Sequence, residues 1–221
     1  MALYVISTPI GNLEDITLRA LRLLKESDII LAEDTRRTLK LLTHYKIRNN
    51  LDSFNEHNKE IKTPHIIRLL KNNKSVAIVS DSGTPGISDP GFYLVRECAR
   101  NDIKVVPVPG ASAVISALVS SGLATDRFKF IGFLPKKDSA KERLFNDIRE
   151  QNVTFIAFES PYRLIKTLGL MSKVIPTREI CIARELTKKF EEFIRGPVKE
   201  VYDKIKLNRI KGEITIVIGK I

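Results

Sequence analysis

The sequence has few cysteines and no long apolar segment, and each shortage excludes a class of protein. Cys98 and Cys181 are its only cysteines, far apart and without a CxxC spacing. We therefore expect two buried, reduced thiols and no disulfide framework or zinc site. No apolar run reaches the roughly 18 residues of a membrane helix, and no basic segment precedes the apolar N-terminal stretch. We accordingly expect no membrane span, no secretory signal and a cytoplasmic location.

Several common catalytic motifs are missing as well. The chain has no GxxxxGK[ST] sequence, no GxGxxG, no GxSxG and no HExxH. Their absence argues against a P-loop nucleotide hydrolase and a hydride-transferring dinucleotide enzyme.

What the sequence does contain is typical of a globular α/β protein. Hydrophobic residues make up 43% and charged residues 29% of its 221 residues. Amphipathic stretches alternate with short apolar runs rich in β-branched residues, which predicts helices between mainly parallel strands. The predicted strands are 3–7, 29–33, 76–80, 104–108, 128–133, 154–159, 179–185, 191–196 and 213–219.

The chain divides best near residue 112, which predicts α/β domains at 1–112 and 113–221. The first domain alternates strands and helices regularly, so its sheet should be mainly parallel. In the second domain two strand signals lie close together, and a helix precedes the last strand. We therefore expect a mixed sheet there.

Basic residues exceed acidic ones, and the excess is uneven. The net charge is +11, divided into +3 for residues 1–110 and +8 for residues 111–221. A one-sided basic excess is typical of a protein that binds a polyanion such as nucleic acid. A lysine-rich solvated surface would produce the same count, so charge alone leaves both interpretations open.

Three loops punctuated by glycine or proline follow predicted strands: STPIGNLED (7–15), SDSGTPGISDPG (80–91) and PVPGASA (107–113). Ligands of open α/β sheets bind beyond the carboxyl ends of the strands. Glycines in the middle loop permit close approach of its backbone to a ligand. Any α/β domain needs tight turns, but three such loops together favour a binding site.

Polar residues at other strand ends are open to two interpretations. In AEDTRRT (32–38), Asp34 with Arg36 and Arg37 could hold a ribose and a phosphate, or Asp34 could simply cap a helix. His57, in FNEHN (54–58), is either a base or a solvated loop residue. Polar side chains after two later strands are candidates for a polar cleft or for surface ion pairs; they are Arg163, Arg184, Glu185 and Lys188.

These blocks together resemble one family. TPIGNLEDIT, AEDTRRT, SDSGTPGISDPG, VPVPGASA, ESPYRL and ARELTKKFEEFIRG follow one another in the order typical of the ribosomal RNA small subunit methyltransferase I family. That family belongs to the tetrapyrrole methylase superfamily. The resemblance implies methyl transfer from S-adenosylmethionine to the 2′-oxygen of a cytidine in the decoding centre of 16S rRNA. It also implies two α/β domains with the cofactor in a cleft between them, and a homodimer.

The resemblance also implies which residues form the site. Those expected to contact the cofactor are Pro9, Ile10, Gly83, Thr84, Gly86, Ile87, Ser88, Ala111, Ser112, Ala113, Ser160, Glu185, Leu186, Glu213 and Ile214. Those expected to hold RNA phosphates are Arg36, Arg37, Lys136 and Lys137, with Lys188 as a further candidate. A ribose hydroxyl is weakly acidic, so a nearby base could assist its deprotonation. The candidates for that base are Asp34, His57, Glu159 and Lys188.

Two alternatives stay open. A tetrapyrrole methyltransferase of the same superfamily would also act on an anionic substrate, although the resemblance of the EDTRRT and FNEHN blocks to the rRNA methyltransferase family implies RNA. In a non-catalytic RNA-binding protein the three loops would be no more than turns.

Overall fold

The structure of the protein, a computed structural model, describes residues 2–89 and 91–221. It divides into two compact units, residues 1–112 and 113–221. Pro90, within the predicted loop 80–91, lies outside the described residues.

The first unit is built on a five-stranded parallel sheet with the order β3-β2-β4-β1-β5. Its strands are β1 (Leu3–Ile6), β2 (Ile29–Ala32), β3 (Leu51–Ser53), β4 (Val76–Val79) and β5 (Val105–Val108). Four of them coincide with predicted strands to within a residue at each end. The exception is β3, a three-residue edge strand that the apolar pattern did not predict.

Helices connect these strands and cover both faces of the sheet. They are α1 (Leu18–Glu26), α2 (Thr35–His44), α3 (Lys59–Lys71) and α4 (Gly91–Arg100), with a short 3-10 turn at Leu13–Asp15. Side-chain oxygens cap two of them: Thr17 accepts from the backbone N–H of Ala20, and Asp34 from that of Arg36. Two separate apolar clusters result, one around Leu31 and Phe54 and the other around Ile30 and Leu24.

The second unit has a mixed sheet, as predicted, with the order β6-β7-β10-β8-β9. Only β6 and β7 run parallel, and the other neighbours are antiparallel. The strands are β6 (Phe128–Phe133), β7 (Thr154–Glu159), β8 (Glu179–Arg184), β9 (Glu192–Pro197) and β10 (Ile214–Ile218).

Its helices are α5 (Ala113–Ser121), α6 (Asp138–Arg149), α7 (Pro161–Val174) and α8 (Val198–Ile205). The largest core cluster lies between one face of the sheet and α6, α7 and α8, with Phe145, Leu168 and Ile216 at full burial. The alternate residues of the strands face the other side, where α5 packs on β10, β8 and β7. The first sheet is parallel and the second is mixed, which confirms the predicted fold class.

Candidate active site

The three predicted loops meet at the carboxyl edge of the first sheet, because β5, β1 and β4 are adjacent parallel strands. Thr8 and Gly83 exchange backbone hydrogen bonds of 2.9 and 3.1 Å, which join the first loop to the second. The Ser7 and Thr84 hydroxyls lie 2.9 Å apart, and the Thr84 hydroxyl donates to the Ala111 carbonyl at 3.4 Å. The loops therefore form one connected surface.

The first and third loops approach each other so closely that the contact requires glycine at position 110. A Cβ on Gly110 would lie 2.9 Å from the Cβ of Ser7, closer than two such atoms can pack. Gly83 and Gly86 have φ values of +80° and +91°, which favour glycine over other residues. The backbone amides of Gly86 and Gly91 both donate to the Asp89 carboxylate, at 2.7 and 2.8 Å. A cradle of small residues and backbone groups results.

The predicted cofactor residues of the first unit all lie on this cradle, and its chemistry fits the group that the resemblance implies. Ile10 is buried, Ile87 is half exposed, and the hydroxyls of Ser7 and Thr84 lie beside them. Apolar surface flanked by backbone and hydroxyl donors and acceptors suits a nucleoside with an amino-acid tail. Ala113 differs from the rest because it begins α5 in the second unit.

Asp34 is a helix cap and also part of an acid–arginine cluster. Its carboxylate accepts from the Arg36 backbone N–H at 2.9 Å and from the Arg36 guanidinium at 2.7 Å. These bonds lower the pKa of Asp34 to about 2. The Asp34 backbone N–H in turn donates to the Asp81 carboxylate at 2.9 Å, whose other oxygen lies 3.4 Å from Nε of Arg37.

Sequence reasoning missed the acidic neighbours of this cluster as site residues. Glu33 and Asp89 both have a raised pKa, mainly because burial disfavours the charged carboxylate, with the nearby Asp81 charge adding to it. Their positions directly after β2 and within the loop after β4 were the available signal.

A cavity of about 140 Å³ opens beside the cluster, lined among others by Thr8, Pro9, Arg37, Lys40 and Asp81. Its lining has two cationic side chains, one carboxylate and three hydroxyls, the last from Thr8, Thr38 and Ser80. Such a set can bind a phosphate through the cations and a sugar hydroxyl through the carboxylate.

In the second unit, the predicted residues Glu185 and Glu213 lie together with Lys188. The Glu185 carboxylate accepts from the Glu213 backbone N–H at 2.8 Å and from Nζ of Lys188 at 2.9 Å. The Lys188 ammonium also donates to the Glu213 carboxylate at 3.0 Å. Glu185 has a φ of +52°, and a Cβ on Gly212 would overlap its side chain.

This arrangement corrects the suggestion that Lys188 acts as a base. Partial burial lowers the pKa of Lys188, but the hydrogen bonds to Glu185 and Glu213 outweigh burial and raise it above its ordinary value. A base must lose its proton near neutral pH, and an ammonium between two carboxylates holds it. Lys188 is therefore an ion-paired cation that orients Glu185 and Glu213.

Glu159 is also unsuited to the catalytic role suggested for it. Its side chain is 0% exposed. One carboxylate oxygen accepts from Thr167 at 2.6 Å and lies 3.2 Å from Nζ of the buried Lys141, and the other pairs with Arg163 at 2.6 Å. A carboxylate enclosed in this way has no face for a substrate. It stabilises the start of α7, where it also accepts from the Ser160 backbone N–H at 2.7 Å.

The other predicted catalytic and RNA-binding residues are exposed, whereas the remaining cofactor candidates of the second unit are buried or half-buried. His57 is exposed in the turn that follows the edge strand β3. Arg36 has a side chain that is 87% exposed. Lys136 and Lys137 are exposed just after β6, and the ion pairs found among the described residues do not include them. Ser160, Leu186 and Ile214 lie at the ends of β7, β8 and β10.

Three further features concern metals, membranes and thiols. Within residues 2–89 and 91–221, no group of histidine, cysteine, aspartate and glutamate side chains is arranged to hold a metal ion. None of the described helices is both long and apolar enough to span a bilayer. Cys98 and Cys181 are free and buried, and burial raises the pKa of the Cys98 thiol to about 11.

Comparison with known proteins places the chain among methyltransferases. Residues 2–202 match the family described as Tetrapyrrole (Corrin/Porphyrin) Methylases. The chain is 50% identical over 217 residues to "Ribosomal RNA small subunit methyltransferase I" of Thermotoga maritima, covering 98% of this chain and 97% of that protein. It is 46% identical to the protein of that name from Halalkalibacterium halodurans, over 98% of this chain and 75% of the relative.

Solved structures share the fold at much lower identity. Diphthine synthase superposes with a TM-score of 0.78 at 14% identity, covering 99% of this chain and 90% of that one. Uroporphyrin-III C-methyl transferase from Thermus thermophilus, complexed with S-adenyl homocysteine, superposes with a TM-score of 0.66 at 18% identity, covering 98% and 97%.

These likenesses differ in what they establish. The solved structures show the fold, whereas identity near one half over nearly the whole length shows the family. The chain belongs to the tetrapyrrole methylases and, within them, to the S-adenosylmethionine-dependent ribosomal RNA small subunit methyltransferase I family.

Proposed function

We propose that this protein transfers a methyl group from S-adenosylmethionine to the 2′-oxygen of a cytidine in the decoding centre of 16S rRNA. The observation that carries the proposal is the 50% identity, over nearly the full length of both chains, to a relative named as a small-subunit rRNA methyltransferase. The connected loops and the adjoining basic cavity of the first unit support it.

The cofactor residues proposed from the sequence remain our assignment. In the first unit they are the loop residues of the cradle: Pro9, Ile10, Gly83, Thr84, Gly86, Ile87, Ser88, Ala111 and Ser112. In the second unit they are Ala113, Ser160, Glu185, Leu186, Glu213 and Ile214. Glu185 and Glu213 are held in place by Lys188, and Ser160 by Glu159.

The protein's own task in this reaction is alignment and handling of a proton. S-adenosylmethionine supplies an electrophilic methyl group on a sulfonium, which becomes a neutral thioether as the new C–O bond forms. The cradle would orient that methyl toward the acceptor oxygen, which lowers the entropic part of the barrier. The Asp34 carboxylate, which lies beside the cavity next to Asp81, would accept a hydrogen bond from the 2′-hydroxyl, while Arg37 and Lys40 of the cavity lining would hold the adjacent phosphate.

Of the four candidates for the proton acceptor, we retain two. Glu159 is fully buried among its partners and Lys188 has a raised pKa, which leaves Asp34 and His57. Asp34 is a weak base because its pKa is near 2. It would therefore orient the hydroxyl, and the proton would pass to His57 or to water.

The proposal also covers location and assembly. A small-subunit rRNA substrate implies a cytoplasmic enzyme, and Arg36, Arg37, Lys136 and Lys137 are the proposed phosphate contacts. We propose a homodimer as well, which sedimentation equilibrium would test; a monomer at working concentration would remove this part.

Two assays distinguish the proposal from its alternatives. In equilibrium dialysis we expect one S-adenosylmethionine per chain, whereas a non-catalytic RNA-binding protein would bind none. With methyl-labelled cofactor we expect label in 16S rRNA of small subunits and none in uroporphyrinogen III. Label in the tetrapyrrole alone would contradict the proposed substrate.

A further inference from the structure

The end of β6 carries an exposed aromatic cluster that no step above uses. The Phe133 ring lies 5.4 Å from the Phe158 ring, and the Phe130 ring lies 5.0 Å from it, both in edge-to-face geometry. Phe133 is 61% exposed, an unusually large fraction for phenylalanine. We call these three residues the aromatic platform.

A β-bulge creates the platform. Phe130 pairs with Ile156 and Phe133 with Phe158, so three steps along β6 match two steps along β7. In a regular strand, residues three apart would point to opposite faces. The extra residue turns Phe130 and Phe133 to the same side, and Gly132 at the bulge has a φ of +68°. Bulges of this kind often re-aim side chains beside functional sites.

The platform faces away from the main core of the second unit. Ile131 packs against that core, whereas Ile156 and Phe158 lie on the other side of the sheet, where α5 packs against β10, β8 and β7. The edge-on contact with Phe158 holds the Phe133 ring in a defined orientation and leaves much of it in solvent. A ring held in this way is preorganised to stack on another flat ring.

The charge around the platform indicates what stacks there. Lys136 and Lys137 follow Phe133 within four residues and are both exposed. The nearest carboxylate in sequence, Asp138, pairs instead with Lys166 at 2.6 Å. The second unit carries a net charge of +8. An exposed ring beside unneutralised lysines combines a stacking surface with phosphate contacts, the pattern of single-stranded nucleic-acid binding.

We infer that the aromatic platform stacks the base of an unpaired nucleotide of the RNA substrate, whose phosphates Lys136 and Lys137 contact. The inference rests on the proposed function and adds a specific subsite to it. Stacking would hold the strand splayed out, which a 2′-oxygen needs in order to be reached. Phe158 of the platform lies in β7, directly before Glu159 and Ser160. The stacked nucleotide would therefore lie near Ser160, one of the proposed adenosine contacts of this unit.

The test measures binding of a single-stranded RNA oligonucleotide of decoding-centre sequence, and of a series in which each position in turn is abasic. In the parent protein we expect one abasic position to weaken binding roughly tenfold, as loss of one stacked base does. The Phe133→Ala substitution should weaken binding of the intact strand by a similar factor. The affinity of this variant should no longer depend on whether that position carries a base. Phe133→Tyr should restore both properties.

Phe128→Ala is the matched control, since Phe128 is exposed on the same strand at its other end. It should bind every oligonucleotide as the parent does. If Phe133→Ala does not fold, Phe133→Leu replaces it, because leucine keeps apolar bulk without an aromatic face. The abasic series on the parent protein tests stacking without any variant.

Several results would overturn the inference. Unchanged RNA affinity in Phe133→Ala, or indifference of the parent to every abasic position, would show that no base stacks there. Conversion of a dimer to a monomer with RNA affinity unchanged would make the platform an interface between copies. Loss of S-adenosylmethionine affinity alone would assign it to the cofactor.

Failure of this inference is distinguishable from failure of the proposed function. Methyl transfer by the parent protein to small subunits is measured in parallel. If the parent methylates rRNA and Phe133→Ala does so equally well at limiting subunit concentration, only the platform is refuted. If the parent transfers no methyl to rRNA, the proposed function itself is refuted.

Discussion

At the scale of single residues, Asp34 has an observed role as a helix cap and a proposed role at the acceptor side, and a substitution can separate the two. It caps α2 and it carries an ionised carboxylate beside the basic cavity. Asparagine caps helices nearly as well as aspartate, so the structural role survives the change to asparagine while the negative charge is lost.

We predict that Asp34→Asn folds and binds cofactor like the parent but methylates rRNA at least about tenfold more slowly, a barrier increase of roughly 1.4 kcal/mol. Single-turnover methyl transfer on small subunits measures this. Asp28→Asn is the control: Asp28 also accepts a backbone N–H and has a pKa of about 2, but precedes β2 at the opposite edge of the sheet. Equal rates in Asp34→Asn and the parent would reduce Asp34 to a cap.

Some residue roles could be read from the sequence and others could not. Asp34 follows a buried strand and precedes an amphipathic helix, so both its cap and its position at the strand end were predictable. Nothing near Glu159 in the sequence shows that Lys141 of α6 reaches its carboxylate. The same is true of Lys188, whose partner Glu213 is distant in the chain. Ion pairs between elements depend on tertiary packing, which local patterns do not encode.

At the scale of elements, the apolar pattern of the strands predicts each sheet, and the loops after the strands form the candidate site. Strands with four or more apolar residues were predictable because burial on both faces leaves a continuous hydrophobic run. β3 was missed because two of its three residues, Asp52 and Ser53, are polar. The bulge in β6 was missed because an alternating pattern does not show an inserted residue.

We predict that Gly110→Ala weakens cofactor binding by about tenfold or more, since the new methyl would force the first and third loops apart, a strain of roughly 1–3 kcal/mol. Isothermal titration with S-adenosylmethionine measures this. Gly169→Ala, in α7, is the control because its Cβ would lie 3.5 Å from the Tyr202 ring, an ordinary contact. It should bind cofactor normally and gain up to about 1 kcal/mol of stability. Normal affinity in Gly110→Ala would remove the cradle from the cofactor site.

At the scale of the whole molecule, the two units differ in net charge. The first is nearly balanced and supplies the cradle, whereas the second carries most of the positive charge. Binding of RNA phosphates by the basic residues of the second unit would release counterions. The affinity for RNA should therefore fall steeply as the salt concentration rises.

We predict that replacing Lys136 and Lys137 by alanine makes the negative slope of log affinity against log salt shallower by up to about 1.4, about 0.7 for each lost phosphate contact. The control replaces Lys199 and Lys206, which both pair with Asp203, and removes the same charge. That variant should keep a slope close to the parent's. If the two double variants have equal slopes, net charge alone accounts for the salt dependence.

The central claim is that the acceptor is the 2′-oxygen of one cytidine of 16S rRNA. The most direct measurement incubates purified small subunits with the protein and isotopically labelled S-adenosylmethionine, then maps the methylated nucleoside by mass spectrometry. We predict one methyl per 16S rRNA, on the ribose of a cytidine in the decoding centre, in a linkage that resists alkaline cleavage. A methyl on a base, label at another site, or unlabelled rRNA in the presence of bound cofactor would contradict the account.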